Sequence, residues 1–220
     1  MRLGKIKNNT DKIFQELKKS GNINVVSVKE IKGGSVVKFH LTGQVEVKNK
    51  HYILDHYIMF FVPVDFPKRL PIIKEYKNSR IPLDYGHMNA DGSFCLATDF
   101  DLYTILQKSK HNISKYIDII AQFIGIYEYY KSYGIYPYGD RAHGLSGIFQ
   151  GYKDFFEIQD DISLVSIFNY DKLSNKLKNK SCYCGSSQKL KNCHWRKLQI
   201  IFNNPHLKKQ YLKDRRRLKK

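Results

Sequence analysis

Runs of β-branched and aromatic residues in the first third of the chain constrain its fold most strongly. The runs occur, in chain order, at residues 25–28, 36–41, 44–47 and 57–62. Gly33-Gly34 separates the first two runs, and a Gly-Gly pair in that position is typical of a β-hairpin, because glycine accepts the backbone angles of a tight turn. The pattern therefore predicts an antiparallel meander sheet within an α+β fold.

Segments with helical periodicity flank this β-rich region. Residues 11–20 place apolar side chains on one side, and residues 113–130 repeat apolar side chains at the spacing of a buried helix. Four prolines between residues 63 and 84 predict irregular chain rather than another central strand, since proline lacks the backbone donor that a strand needs. A last helix is predicted near residues 148–156.

The net charge of +18 is concentrated at the end of the chain. Residues 172–220 contain sixteen Lys and Arg and a single acid, whereas residues 1–171 contain 22 basic and 19 acidic residues. Residues 1–171 therefore have a net charge close to zero, as is usual for a globular domain. The tail is suited to contact a polyanion or an acidic protein, with a merely solvated surface as the alternative.

Composition excludes several classes of protein. The 42% hydrophobic content is enough for a packed core, and no apolar run reaches the roughly 18 residues that a membrane helix requires. The start of the chain lacks the apolar region of a secretory signal. Four cysteines are too few for a disulfide scaffold, so we expect a cytoplasmic protein without a membrane contact.

One cysteine is surrounded by residues that suit a nucleophile. His87 and Asn89 precede an Asp91-Gly92 turn signal, and Cys95 follows three residues later. This grouping would hold a thiol near the surface and place polar donors beside whatever the thiol attacks. We expect Cys95 to take part in acyl transfer through a thioester.

The order of these features resembles the ubiquitin-conjugating-enzyme family over roughly residues 9–130. Residues 66–71, Phe-Pro-Lys-Arg-Leu-Pro, are similar to the proline-rich segment after the third strand of the family. His87-Met88-Asn89 is similar to its His-Pro-Asn signature, and residues 92–96 are similar to its catalytic-cysteine loop. The resemblance implies an antiparallel meander sheet flanked by helices.

Roles for individual residues follow from the resemblance. Cys95 would accept the acyl group, Asn89 would donate its amide hydrogens to the oxyanion or to the cysteine loop, and His87 would hold that loop in place. Asp99 or Asp101 would accept a proton from an attacking amine. Cys95 would therefore take the C-terminus of a protein as a thioester and pass it to an amine.

The sequence departs from the typical eukaryotic members of this family. Met88 replaces the signature proline, and His87 and Cys95 are eight residues apart, two fewer than usual. Compact variants occur among bacterial relatives, some of which have a block similar to residues 139–147. Stand-alone relatives are associated with cyclic-oligonucleotide (CBASS) anti-phage systems, which would make the conjugated protein a cGAS-like nucleotidyltransferase.

Two other functions remain open at this point. The chain could be a non-catalytic adaptor that binds protein or RNA through its basic tail. It could also be a cysteine protease in which Cys95 is paired with His111 or His143 as the base. Such thiols usually lie at the start of a helix, and residues 96–99 show no evident helical run.

A second cluster of chemically active residues lies near the end of the chain. Cys182, Cys184, Cys193 and His194 supply three thiolates and an imidazole, which is sufficient for a closed, structural zinc site. The spacing, with Gly185 after the second cysteine, resembles the SEC-C motif. The sequence therefore predicts a catalytic domain over residues 1–170, a linker over 171–181 and a zinc module with a basic tail over 182–220.

Overall fold

A four-stranded antiparallel sheet forms the first part of the fold. The computed structural model describes Ile13, Gln15–Leu17, 22–109 and 113–218. The strands are paired in chain order and run as follows: β1 (Ile23–Ile31), β2 (Gly34–Val47), β3 (Lys50–Pro63) and β4 (Ile72–Lys77). The predicted α+β fold with an antiparallel meander is confirmed. The runs predicted at 36–41 and 44–47 belong to one continuous strand, β2.

Two-residue turns connect the first three strands. Ile31 pairs with Gly34, so the first turn consists of Lys32 and Gly33, and Gly33 has a φ of +98° that favours glycine. Lys48 and Asn49 form the second turn with φ values of 52° and 59°. Positive φ at both turn residues matches the twist of the flanking strands.

Strand β4 corrects the prediction of irregular chain between residues 63 and 84. It pairs with β3 at the edge of the sheet, with Phe61 opposite Ile72. Pro71 directly precedes the strand, and a proline restricts only its own backbone and that of the residue before it. The following six residues contain no proline and are free to pair.

Helices occupy most of the remaining chain. They are α1 (Asp99–Lys108), α2 (Lys115–Tyr133), α3 (Gly144–Phe156), α4 (Asp161–Ile167), α5 (Trp195–Asn203) and α6 (Pro205–Leu218). The helices predicted at 113–130 and 148–156 correspond to α2 and α3. Most of the helix predicted at 11–20 lies outside the described residues, although Ile13 and Gln15–Leu17 within it are helical. None of the described helices combines the length and the apolar character that crossing a membrane requires.

The chain divides into two compact units. The first comprises Met1–Ala97 and Lys108–Asp140, and the second comprises Thr98–Gln107 and Arg141–Lys220. This grouping differs from the sequence-based division at residue 170, because α3 and α4 belong to the same unit as the Cys/His segment. The stretch predicted as a linker, 171–181, also lies within the second unit.

Each unit has its own core. In the first, α2 packs closely on the sheet, since a Cβ added to Gly125 would lie 2.6 Å from Val45 Cγ1. In the second, Tyr152 is fully buried beside Phe168, and its hydroxyl donates a hydrogen bond to the buried Asp214.

Candidate active site and metal centre

The Cys95 loop is held by backbone hydrogen bonds at two places. The Cys95 N–H donates to the His87 carbonyl at 2.8 Å, which connects the cysteine to the segment that carries Asn89. The Phe94 N–H donates to the Ile73 carbonyl at 2.9 Å, which attaches the loop to the edge strand β4. Cys95 is half-buried. The thiol therefore lies on a loop with a defined backbone position, beside the edge of the sheet.

A chain of side-chain hydrogen bonds fixes the amide of Asn89. Its Nδ2 donates to Ser93 Oγ at 3.0 Å, and Ser93 Oγ donates to Asp91 Oδ1 at 2.6 Å. Ser93 is only 8% exposed, whereas Asn89 and Asp91 at the two ends of the series are exposed. An amide nitrogen carries two hydrogens, and the bond to Ser93 uses one of them. The second hydrogen can serve another acceptor.

Asp91 is the anionic end of this series of hydrogen bonds. Bonds from the Ser93 side chain and backbone N–H, together with the neighbouring Lys74, lower the pKa of Asp91 to about 2. Lys74 Nζ also donates to the Asp91 carbonyl at 2.6 Å. Asp91 is therefore a carboxylate at any physiological pH, and it orients the Ser93 hydroxyl as an acceptor for Asn89.

His87 is enclosed by contacts that suit a structural role. Its Nε2 lies 3.2 Å from Asp140 Oδ1, and its ring makes edge-to-face contacts with Tyr85 and Tyr136. The His87 side chain is 15% exposed. Its carbonyl accepts the Cys95 N–H, so immobilising His87 also immobilises the cysteine.

The proposed proton acceptors lie in the second unit. Asp101 Oδ2 accepts hydrogen bonds from Thr98 Oγ1 at 2.9 Å and from Arg141 at 3.0 Å. Asp99 lies 3.5 Å from Lys213 Nζ, and His143 directly precedes α3. Each aspartate thus has a cationic partner within its own unit. His111, the other base considered for a protease, lies outside the described residues.

The four residues predicted to bind metal do converge. All of their donor atoms lie within 4.8 Å of one another. His194 Nδ1 lies 3.3 Å from Cys182 Sγ and 3.1 Å from Cys193 Sγ, and the Cys184 and Cys193 sulfurs are 3.5 Å apart. A tetrahedral zinc site with ordinary bond lengths has donor separations of roughly 3.6–3.8 Å. The cluster is therefore positioned to hold a metal ion with little rearrangement.

His194 presents the correct nitrogen to this cluster. Its Nε2 lies 2.9 Å from the Phe156 carbonyl, which can only accept, so the proton is on Nε2 and Nδ1 is left as the ligand atom. Ligating histidines in proteins ordinarily donate their other ring N–H in this way. The orientation of the imidazole is thus fixed before any ion binds.

Ser186 lies within hydrogen-bond distance of two cysteines of the cluster. Its Oγ lies 3.2 Å from Cys184 Sγ and 3.4 Å from Cys193 Sγ. Burial opposes ionisation of Cys184, but hydrogen bonding by Ser186 and by the neighbouring thiols lowers its pKa to about 6. Burial raises the pKa of the Cys182 thiol, and a bound cation would act in the opposite direction.

Sequence reasoning missed several members of both sites. Asp91 was interpreted only as part of a turn, and Ser93 was given no role, although an Asp two residues before a Ser is a signal for such a local hydrogen bond. Ser186 and the Phe156 carbonyl were also missed. Phe156 is 38 residues from His194, and no local pattern could have identified it.

Comparisons of the chain with protein-family models, curated proteins and solved structures give no match.

Proposed function

We propose that this protein is a ubiquitin-conjugating-enzyme-like acyl transferase that uses Cys95 as its nucleophile. The observation that carries the proposal is the attachment of a half-buried cysteine to the His87 carbonyl, within the loop that also fixes the Asn89 amide. A cysteine that merely filled the core would be fully buried and would need no polar neighbours. The resemblance of His87-Met88-Asn89 and of the proline-rich segment supports the same reaction.

The reaction comprises two acyl transfers that balance without a redox step. The Cys95 thiolate attacks the carbonyl carbon of an activated protein C-terminus, a C–S bond forms, and the activating group leaves with its electron pair. An amine then attacks the thioester carbonyl, a C–N bond forms, and the thiolate of Cys95 leaves. The proton of the amine passes to a base. The reaction therefore starts from a C-terminus that already carries a leaving group.

Asn89 would stabilise the oxyanion that develops in both steps. Its amide is held by Ser93, which is in turn oriented by Asp91, so the amide is positioned before the substrate arrives. Loss of one such donor typically lowers the rate a hundredfold or more. Ser93→Ala would leave the donor present but free to rotate, and a smaller decrease of roughly tenfold is expected.

We further propose that the Cys/His cluster holds zinc as a structural ion. Three thiolates and one imidazole occupy all four tetrahedral positions, which leaves none for a water or a substrate. Zinc bound there would contribute folding energy to a segment in which only Cys182 among the ligands is fully buried.

A peptide activated as a small-molecule thioester tests the transferase activity directly. We expect the intact protein to gain the mass of the acyl group at Cys95, and to lose it on treatment with a thiol or a primary amine. Cys95→Ala should form no adduct, and Cys95→Ser should form an oxygen ester that survives the thiol. Absence of any adduct on wild-type protein would refute the proposal, and peptide cleavage without an adduct would favour the protease.

Two further variants test the role of the amide. Asn89→Ala is expected to slow adduct formation about a hundredfold, while Asn24→Ala, which removes an exposed amide from β1, should have no effect. Equal rates for both variants would remove Asn89 from the mechanism. The resemblance also names a natural partner to test, the C-terminus of a cGAS-like nucleotidyltransferase, in an anti-phage context.

A further inference from the structure

Three exposed lysines lie on two paired segments that precede ligands of the Cys/His cluster in the sequence. The Leu190 N–H donates to the Lys180 carbonyl at 2.8 Å, and Ser181 forms an antiparallel bridge with Lys189. Lys180, Lys189 and Lys191 therefore lie on neighbouring stretches of backbone. Among the residues that the structure describes, none of the three lysines forms an ion pair, whereas Lys197 and Lys213 in the same unit are paired with Glu157 and Asp99.

The segment that carries these lysines contains almost no acids. Residues 172–213 contain no aspartate or glutamate, and the single acid farther along, Asp214, is 1% exposed. The three ammonium groups are therefore not neutralised by neighbours in sequence. A row of unpaired lysines attracts polyanions, and the attraction weakens as salt rises.

An exposed aromatic ring lies between Lys180 and Lys189 in the sequence. Tyr183, between two of the cluster cysteines, is 46% exposed and stacks on the buried Tyr170 with ring centroids 4.4 Å apart. The Tyr183 N–H also donates to the Tyr170 hydroxyl at 3.3 Å. The exposed ring is thus held in one orientation by the ring beneath it. A tyrosine exposed merely by chance would have no such support.

We propose that Tyr183 and the three lysines form a binding site for single-stranded nucleic acid. Proteins that bind single strands combine a cationic surface for the phosphates with aromatic rings on which unpaired bases stack. A duplex keeps its bases stacked on each other and offers none to Tyr183. An acidic polypeptide would satisfy the lysines and would leave the ring unused. The site does not depend on the chemistry proposed for Cys95.

Fluorescence anisotropy with a labelled 15-nucleotide oligouridine or oligothymidine measures this binding on the full-length, zinc-loaded protein. Tyr183→Ala is expected to weaken binding about 5- to 100-fold, and Tyr183→Phe, which keeps the ring, should change it less than twofold. The triple variant Lys180→Ala, Lys189→Ala, Lys191→Ala should lower the slope of log affinity against log salt by about 2.

The matched control is Lys29→Ala with Lys32→Ala, which removes two exposed lysines from the β1–β2 hairpin. It should leave both affinity and salt dependence unchanged, and thermal melts should establish that every variant is folded. The proposal is overturned if Tyr183→Ala binds as wild type, or if the control weakens binding as much as the lysine variant. Equal affinity for a duplex or for polyglutamate would also overturn it. A difference between the two oligomers would assign the site to RNA or to DNA.

Discussion

Glu75 provides the strongest test of the architecture beneath the candidate active site. Its side chain on β4 is only 3% exposed, and Oε1 lies 2.7 Å from Nδ1 of His56 on β3. Oε2 accepts the backbone N–H groups of Arg80 and Ile81, each at 3.0 Å. The Glu75 carboxylate therefore connects β3 and β4 with the loop segment that leads to His87. We predict that Glu75→Ala destabilises the protein strongly.

The expected decrease in the free energy of unfolding follows from the groups that would lose their hydrogen-bond partner. His56 is 1% exposed, and its Nε2 has no hydrogen-bond partner among the described residues, so the variant would leave both ring nitrogens unsatisfied. An unsatisfied buried polar group costs about 1–3 kcal/mol, and the N–H of the buried Ile81 adds roughly 1 kcal/mol. Removal of one partner of a buried pair costs about 3–5 kcal/mol in other proteins. We expect a loss of about 4 kcal/mol in the free energy of unfolding.

Urea unfolding followed by circular dichroism measures the decrease in the free energy of unfolding. Hydrogen exchange of the β3 and β4 amides shows whether these two strands are destabilised. Glu46→Ala removes an exposed glutamate from β2 and should change the free energy by less than about 0.5 kcal/mol. Glu75→Gln keeps the shape and one oxygen, so it should cost less than Glu75→Ala. A loss below about 1 kcal/mol for Glu75→Ala would show that water or local rearrangement replaces the carboxylate, and would refute the reasoning.

Three further predictions concern other parts of the molecule. Ser186→Ala should weaken zinc binding about tenfold in a chelator competition, because the thiolates lose a hydrogen-bond donor, and unchanged affinity would contradict this. Burial raises the pKa of Asp214, so its stabilising contribution is complete below pH 3.8 and is lost as the pH rises through the raised value. Asp214→Asn should therefore unfold at higher urea than wild type at pH 7 but not at pH 4, and equal differences at both pH values would refute it. Gly125→Ala would place a methyl group 2.6 Å from Val45 and should cost about 1–3 kcal/mol, measured by thermal unfolding; an unchanged melting temperature would show that the helix shifts freely.

The meander could be predicted from sequence because its signals are local. β-branched runs and the glycine of the first turn identify the paired strands without reference to distant residues. Helix α1 was missed, although Thr98 carries its start signal: the Thr98 hydroxyl accepts the Asp101 N–H at 3.2 Å, as a capping residue does. Strand β4 was missed because the surrounding prolines dominated the pattern.

The sequence predicts the metal-ligand cluster more completely than the surroundings of Cys95. The reason is that the ligands of the cluster are close together in the sequence, whereas Cys95 depends on distant residues. The four metal ligands lie within thirteen residues, so their spacing alone predicted the convergence that the structure has. The Cys95 loop depends instead on Ile73 and Lys74, which belong to the strand that sequence did not predict. The position of Cys95 is thus determined by residues elsewhere in the fold, whereas the residues that could hold a metal ion lie within one short segment. The reactivity of Cys95 therefore requires a chemical test.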